Sequence, residues 1–333
     1  MKVHRIIIRW SSIMKQAGLI LFFLLCYLPT LSAQSAKSPA EVQAFIYVVD
    51  LREIDGAKQD FFADIVVRLR WKDPKLAGQG KHFLPADAAW NPNIQIVNRV
   101  SVQATLPEVL EVDESGNVIY RQRFIGQFSS PLNLREFPFD HQTISIILVA
   151  LAKTPEEVKF VRDSAEESGI GSKLSITDWK IDSYEVKMQP FRATPGGRSL
   201  AGFVFELNLT RYFLFFLVQI IIPVGLIVAM SWIVFWLDIQ ETGPRVSLSV
   251  TSMLTLVAYR LLTASFLPRL PFLTRMDYFV FSSTSLVFLS LLSVVWIARS
   301  TKKKEPFAAA LNLHSRWIFP VLFLFMLMFA FWF

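Results

Sequence analysis

Past Arg211 the chain changes character: Tyr212–Leu237 runs for 26 residues without a charged side chain. A helix of that length crosses the ~30 Å hydrocarbon core of a bilayer with some length left for tilt. Hydrocarbon offers the backbone no hydrogen-bond partner, so such a segment has to bond to itself as a helix. Tyr278–Ala298 is a second clean run, and Trp317–Phe333 is a third at the short end of the range, extended backwards through His314. Between the first and second lies a less uniform segment, from Arg245 to about Leu267. Spans are therefore expected at about 212–237, 245–267, 278–298 and 314–333. A hydrophobic fraction of 53% fits a membrane protein better than a soluble one.

Residues 34–211 follow a different pattern. "DIVVRLRW" (Asp64–Trp71), "NVIYRQRF" (Asn117–Phe124) and "FVFELNLT" (Phe203–Thr210) alternate or nearly alternate apolar and polar residues, with turn signals such as "DESGN" and "TPGG" between them. That spacing of short strands predicts an antiparallel, immunoglobulin-like β-sandwich, large enough for its own core. Residues 1–33 read as a secretory leader. Lys2, Arg5, Arg9 and Lys15 precede the apolar "AGLILFFLLCYLP", and "LSA" ends it. Removing the leader takes the net charge from +7 to +3, because it carries four basic and no acidic residues. It also removes Cys26, the only cysteine, so the mature chain has no disulfide and no thiolate. A leader places the sandwich outside the cytoplasm and the ends of the first and third spans inside. Arg299 and Lys302–Lys304 cluster where the third span ends, which is the positive-inside pattern reached independently. The C-terminus is expected to return to the outer side, and the expected location is a bacterial inner membrane.

The second span raises a separate question, because it is rich in Ser and Thr and contains Arg245 and Arg260. On a helix, Ser247, Thr251, Leu254, Ala258, Leu261 and Ser265 fall within about 40° of one direction. Single hydroxyls in a span commonly bond their own helix or glue helices together. A whole face of them, interrupted by leucine, also suits a water-filled pore with an apolar constriction. One such helix per chain makes a pore only in a symmetric oligomer. Pro244 beside Arg245 fits a helix start, and Arg260 lies away from the hydroxyl face.

A sandwich followed by four spans, the second of them polar on one side, resembles a pentameric ligand-gated ion channel subunit, the Cys-loop receptor superfamily in its prokaryotic form. "FPFD" (Phe137–Asp140) with Gln142 matches the signature loop. The positions of its two animal cysteines correspond to Ser130 and Ile144, a departure that suits prokaryotic members. "WNPNIQIVN" (Trp90–Asn98), Pro223, "LTLVAY" and "LPRLP" are similar to further family motifs. The resemblance implies a homopentamer in a lipid bilayer, permeated by inorganic ions and opened by a small-molecule agonist, with no cofactor and no nucleic acid. It implies a gate at Leu254 above rings of Ser247 and Thr251. It also implies coupling through Phe137, Pro138, Phe139, Asp140, Arg211, Pro268 and Arg269, with Asp140 and Arg211 as an ion pair. For the ligand it points to Asn93, Tyr120, Arg121, Leu151, Phe191 and Arg192, where the family favours aromatics that hold a cation. Arg121 or Arg192 would instead suit an acidic ligand. The selectivity region is Glu241, Gly243, Pro244 and Arg245. "GPRV" leans towards anions, with Arg245 in the pore lining, while Glu241 and Gly243 keep a cation-selective pore open.

Two other classes compete. A membrane-anchored periplasmic binding module or sensor would need the sandwich and an anchor, but not a hydroxylated second span. An enzyme is disfavoured, since His4, His82, His141 and His314 are scattered without metal-ligand spacing and no nucleophile or phosphate-loop motif occurs.

Overall fold

The structure is a computed structural model that describes residues 38–263, 270–301 and 305–332. The expected leader, Ser265, Pro268, Arg269 and Lys302–Lys304 lie outside the described residues.

Twelve strands form the N-terminal half: β1 (Ala40–Asp55), β2 (Asp60–Lys72), β3 (His82–Pro85), β4 (Ile94–Ile96), β5 (Arg99–Ala104), β6 (Val109–Val112), β7 (Asn117–Ser129), β8 (His141–Ala150), β9 (Val158–Arg162), β10 (Gly169–Ile170), β11 (Trp179–Lys187) and β12 (Gly202–Arg211). One sheet runs β10-β1-β2-β7-β6-β3, with β9 also on β1 and β5 also on β7; the other runs β11-β12-β8-β4. The two make the sandwich that the alternation predicted. In β2 the odd positions Phe61, Ala63, Ile65, Val67, Leu69 and Trp71 are buried in the core. Across it, β8 contributes Ile144, Ile146 and Leu148, and β12 contributes Phe203, Phe205, Leu207 and Leu209. At Gly126 on β7 (φ +152°) an added Cβ would collide with the β5 backbone at Ser101 and Val102, so only glycine lets β5 lie this close.

The even positions of β2 explain why its alternation is polar without being solvated. Asp60, Asp64 and Arg68 are buried as well. Asp64 accepts two hydrogen bonds from Arg123, at 2.9 and 2.6 Å. Arg68 donates to Asp163 at 2.9 Å and to Glu166 at 2.5 Å, with its guanidinium 4.6 Å from the Phe45 ring. Burial alone would raise the Asp163 carboxyl; the Ala165 amide and the Arg68 and Arg70 guanidiniums outweigh it and hold the group below the ordinary carboxylate value.

Four helices follow that are long and apolar enough to cross a membrane: α1 (Leu214–Trp236), α2 (Thr242–Thr263), α3 (Arg275–Thr301) and α4 (Glu305–Trp332). α1 contains one wide π turn, Leu217–Ile221, just before Pro223. Such a bulge often accompanies a proline that cannot supply its own amide hydrogen bond. α4 begins well before His314, because "EPFAAALNLHSR" continues the helix although it is too mixed to count as a span by hydropathy. α2 starts at Thr242, so Pro244 sits in its first turn, where its missing N–H costs nothing.

Replacing Asp163 with Asn leaves the buried Arg68 charge with Glu166 alone. It is expected to destabilise the sandwich by about 3 kcal/mol, the low end for breaking a buried pair. The native contribution has a definite pH window. A carboxyl depressed on folding stabilises above its unfolded value and loses that contribution as pH falls through the folded one. Thermal unfolding of the detergent-purified protein should therefore separate Asp163→Asn from the native chain near neutral pH and bring the two together in acid.

Candidate functional site

Where β12 runs out of the sandwich into α1, a cluster forms around Arg211. Its Nε donates to Asp140 Oδ1 at 2.7 Å and its Nη2 to Asp140 Oδ2 at 3.2 Å, while its backbone N–H donates to the Asp140 carbonyl at 3.2 Å. Asp140 is fully buried and the Arg211 side chain nearly so. The guanidinium lies 4.1 Å from the Trp179 ring and 4.9 Å from that of Phe137. Gln142 donates to Asp140 Oδ2 at 2.7 Å and also holds Asn133 through paired amide contacts, which closes the loop upon itself. The expected ion pair is therefore bidentate, desolvated and walled by aromatics. A guanidinium suits this place because its planar fork matches the carboxylate and its faces stack.

The same loop rests on the helices. Phe137 meets Phe216 of α1 at 4.7 Å; Phe139 meets Phe213 at 5.1 Å and Phe331 of α4 at 5.4 Å. The backbone N–H groups of Arg275 and Met276, at the start of α3, donate to the carbonyls of Arg135 and Phe137. Arg275 also reaches Glu136 at 2.9 Å and the Phe331 carbonyl at 3.1 Å. Phe137, Pro138, Phe139, Asp140 and Arg211 thus form one junction touching α1, α3 and α4. Trp179, Glu136 and Arg275 complete it and were missed. Their partners lie far off in sequence, and nothing local marks them.

Along α2 the polar residues divide by face. Arg245, Ser249, Ser252, Leu256 and Thr263 are buried against the chain's own helices. The hydroxyls of Ser249, Ser252 and Thr263 bond their own helix carbonyls four residues back, at 2.9–3.0 Å. On the opposite side Ser247, Thr251, Leu254, Ala258 and Leu261 are all exposed, Leu254 to 64% and Leu261 to 74%. The hydroxyls of Ser247 and Thr251 make no side-chain hydrogen bond within the chain among the described residues. The expectation that some hydroxyls bond their own helix therefore holds for the buried face. Arg245 requires a correction. Expected in the pore lining, it is 1% exposed and turned to the buried side, where its Nε donates to the Val234 carbonyl at 3.2 Å and its Nη2 to Asn312. A fixed cation in an apolar region goes where acceptors are, and the carbonyl end of α1 supplies them. Glu241, Gly243 and Pro244 are exposed at the start of α2.

The residues expected to bind a ligand fall into two groups. Asn93, in the left-handed region at φ +50° that asparagine tolerates, accepts on its carbonyl the N–H of Leu151 at 2.9 Å. Nearby, Phe191 pairs with Leu200 across a hairpin whose base reaches Ala150 through Ala201, and Arg192 is exposed beside it. Tyr120 and Arg121 lie on β7, in the other sheet. Burial pushes the Tyr120 phenol up, so it stays protonated at neutral pH. Arg121 is already engaged by Glu111 at 2.8 Å. Lys81 and Arg121 together hold the Glu111 carboxyl below its ordinary value, with burial opposing them.

Comparison with known proteins matches residues 27–211 to the neurotransmitter-gated ion-channel ligand binding domain and residues 220–310 to the neurotransmitter-gated ion-channel transmembrane region. A proton-gated ion channel of Gloeobacter violaceus is 27% identical over 296 residues, covering 87% of this chain and 82% of that protein. The gamma-aminobutyric acid receptor subunit alpha-2 of Bos taurus is 25% identical over 281 residues, 80% of this chain, and the human subunit aligns equally. The chain spans 61% of those receptor subunits' length.

Removing Arg211 (Arg211→Met) strands a buried carboxylate and is expected to cost about 3–5 kcal/mol of stability. Arg211→Lys should recover only part of it, since an ammonium forms neither the two-pronged bond nor the stack on Trp179. Melting temperatures of the purified variants check the order native, Lys, Met.

Proposed function

The chain belongs to the neurotransmitter-gated ion-channel family, whose members are ligand-gated ion channels and not enzymes, and on that footing we propose that five copies assemble around α2 into a ligand-gated pore. The observation that carries this reading is the division of α2. A row of exposed hydroxyl, leucine and alanine side chains stands opposite a face that is fully packed. Lipid rewards neither Ser247 nor Thr251, whereas water in a pore solvates both. Leu254, exposed between them and the sandwich end of the helix, supplies the apolar ring at which a narrow pore dewets. The mature subunit begins after residue 33, with its sandwich and C-terminus on the periplasmic side of a bacterial inner membrane. The basic run ending α3 supports that orientation.

In this reading a small-molecule agonist binds between neighbouring sandwiches, with Asn93, Leu151, Phe191 and Arg192 on one wall and Tyr120 and Arg121 on the next. That these groups occupy different sheets of one chain favours a site shared between copies. The loop Phe137–Asp140, locked by Arg211, passes sandwich movement to the helices together with residues 268 and 269. Current recorded from reconstituted protein, with a panel of small amines and acids and with protons, tests the function. Absence of conductance throughout, or particles without five-fold symmetry, would overturn it. Leu254→Ser hydrates the constriction and is expected to give leak without agonist or a leftward-shifted dose–response; unchanged closed-state leak and sensitivity would remove Leu254 from the gate.

Selectivity is proposed to favour anions. The exposed first turn of α2 carries Gly243 and Pro244 instead of carboxylates, and in this reading the positive end of the helix adds to the preference for anions. Arg245 adds its charge from within the wall. Glu241 is the observation that favours cations, since it is exposed just before the helix. In a chloride gradient the reversal potential should lie near the chloride equilibrium potential, and Pro244→Glu should move it towards that of the cation. A native channel reversing at the cation potential reverses the assignment.

A further inference from the structure

At the end of α2 remote from the sandwich, three helices meet at one buried cation. Arg245 donates through Nε to the Val234 carbonyl at 3.2 Å and through Nη2 to Asn312 Oδ1. Asn312, itself 5% exposed on α4, donates through Nδ2 to the Phe235 carbonyl at 2.9 Å. Arg316, one turn further along α4, donates through Nε to that same carbonyl at 2.9 Å. Val234 and Phe235 end α1, where their carbonyls stand at the helix's negative pole; that of Val234 also accepts the capping N–H of Leu237 at 3.3 Å. Among the described residues no carboxylate comes within ion-pair distance of Arg245 or Arg316.

Elsewhere α2 is held by packing and by a further directed bond. Its buried hydroxyls are satisfied by its own backbone. The directed side-chain bonds from α2 to other helices, among the described residues, come from Arg245 and from Tyr259, whose hydroxyl donates to the Gln219 carbonyl of α1. Small hydroxylated surfaces slide on their neighbours more readily than a guanidinium leaves two acceptors in a place that offers it no water. Arg245 lies about 160–180° around the helix from Ser247 and Leu254. What fixes the direction of the guanidinium therefore fixes the direction of the exposed row.

We propose that Asn312 and Arg316 of α4 are positioning residues for the conduction path. Asn312 holds Arg245 directly, and Arg316 holds the Phe235 carbonyl to which Asn312 is bonded; through Arg245 they set the rotation of α2 about its own axis, and so which of its side chains face the pore. The proposal rests on α2 lining the pore. It assigns α4 a directed hold on the pore at its far end, in addition to the Phe331 contacts at the sandwich end.

Cysteine accessibility reads rotation directly, and the chain's one cysteine lies at position 26. Full-length Ser247→Cys and Ser249→Cys proteins are placed in phosphatidylcholine–phosphatidylglycerol vesicles and exposed to a charged methanethiosulfonate reagent on both sides. With Asn312 intact, Ser247→Cys should react and Ser249→Cys should be protected. Adding Asn312→Leu should speed modification of Ser249→Cys about tenfold or more, as expected for losing a hydrogen bond to a charged group. Asn312→Asp, which keeps the acceptor for Arg245, should restore protection. If Asn312→Leu yields no assembled protein, Arg316→Gln removes one bond and should give the same change to a smaller extent. A lowered melting temperature with unchanged Ser249→Cys labelling in these variants would mark the residues as merely structural and overturn the proposal. Protection of Ser247→Cys in the native background is a separate outcome, which would sink the pore reading and this proposal with it.

Discussion

Hydrocarbon supplies no hydrogen bonds, so every polar group carried into the membrane half of this protein must find its partner within the protein or in water held by it. The four helices answer for the backbone. Ser249, Ser252 and Thr263 answer for themselves by bonding back along α2, and Ser290 of α3 crosses to the Ser231 carbonyl of α1 at 2.8 Å. Arg245 is the demanding case, because a guanidinium has five N–H donors and no way to discharge itself. It is buried where α1 ends, at a helix C-terminus whose carbonyls face donors from outside the helix. Trp232 Nε1 and Ser283 Oγ are buried without a hydrogen-bond partner among the described residues, and the side chains of Ser247 and Thr251 are left facing outward.

The junction between the halves obeys a related constraint with a different solution. A buried carboxylate is costly unless it is fully bonded, and Asp140 receives Arg211 through two prongs and Gln142 through a third bond. Trp179, Phe137 and Phe216 around the guanidinium keep water out. The last strand of the sandwich, the loop beside it and the first helix are consequently tied at one point. The backbone bonds from Arg275 and Met276 to that loop bring α3 into the same knot. This is the stretch where the two halves of the chain are tied to each other.

Two polar networks therefore bracket the membrane domain, one at the sandwich end and one around Arg245 at the far end, and α4 touches both. Phe331 packs against Phe139 and Phe279 above, and Asn312 and Arg316 reach the end of α1 below. A helix that only filled space would be expected to make dispersion contacts alone. This one also spends polar side chains on its neighbours' backbones.

The sequence by itself determined the two-part plan. Alternation at period 2 and charge-free runs at membrane length are local patterns, and their physics acts over a few neighbouring residues, so they survive without coordinates. It also determined which residues of α2 share a face, because helical spacing is fixed. The odd positions of β2 were legible as core for the same reason. Its even positions were not legible as buried, since Arg68 finds Asp163 only when loops close a gap of 95 residues. Nor did spacing decide which side of α2 turns inward. Arg245 was placed in the pore lining from the resemblance of "GPRV" to the anion-selective pattern. Only the packed bundle, which puts the C-terminal carbonyls of α1 at Val234 and Phe235 beside Asn312, could make the interior the better-bonded place for its charge.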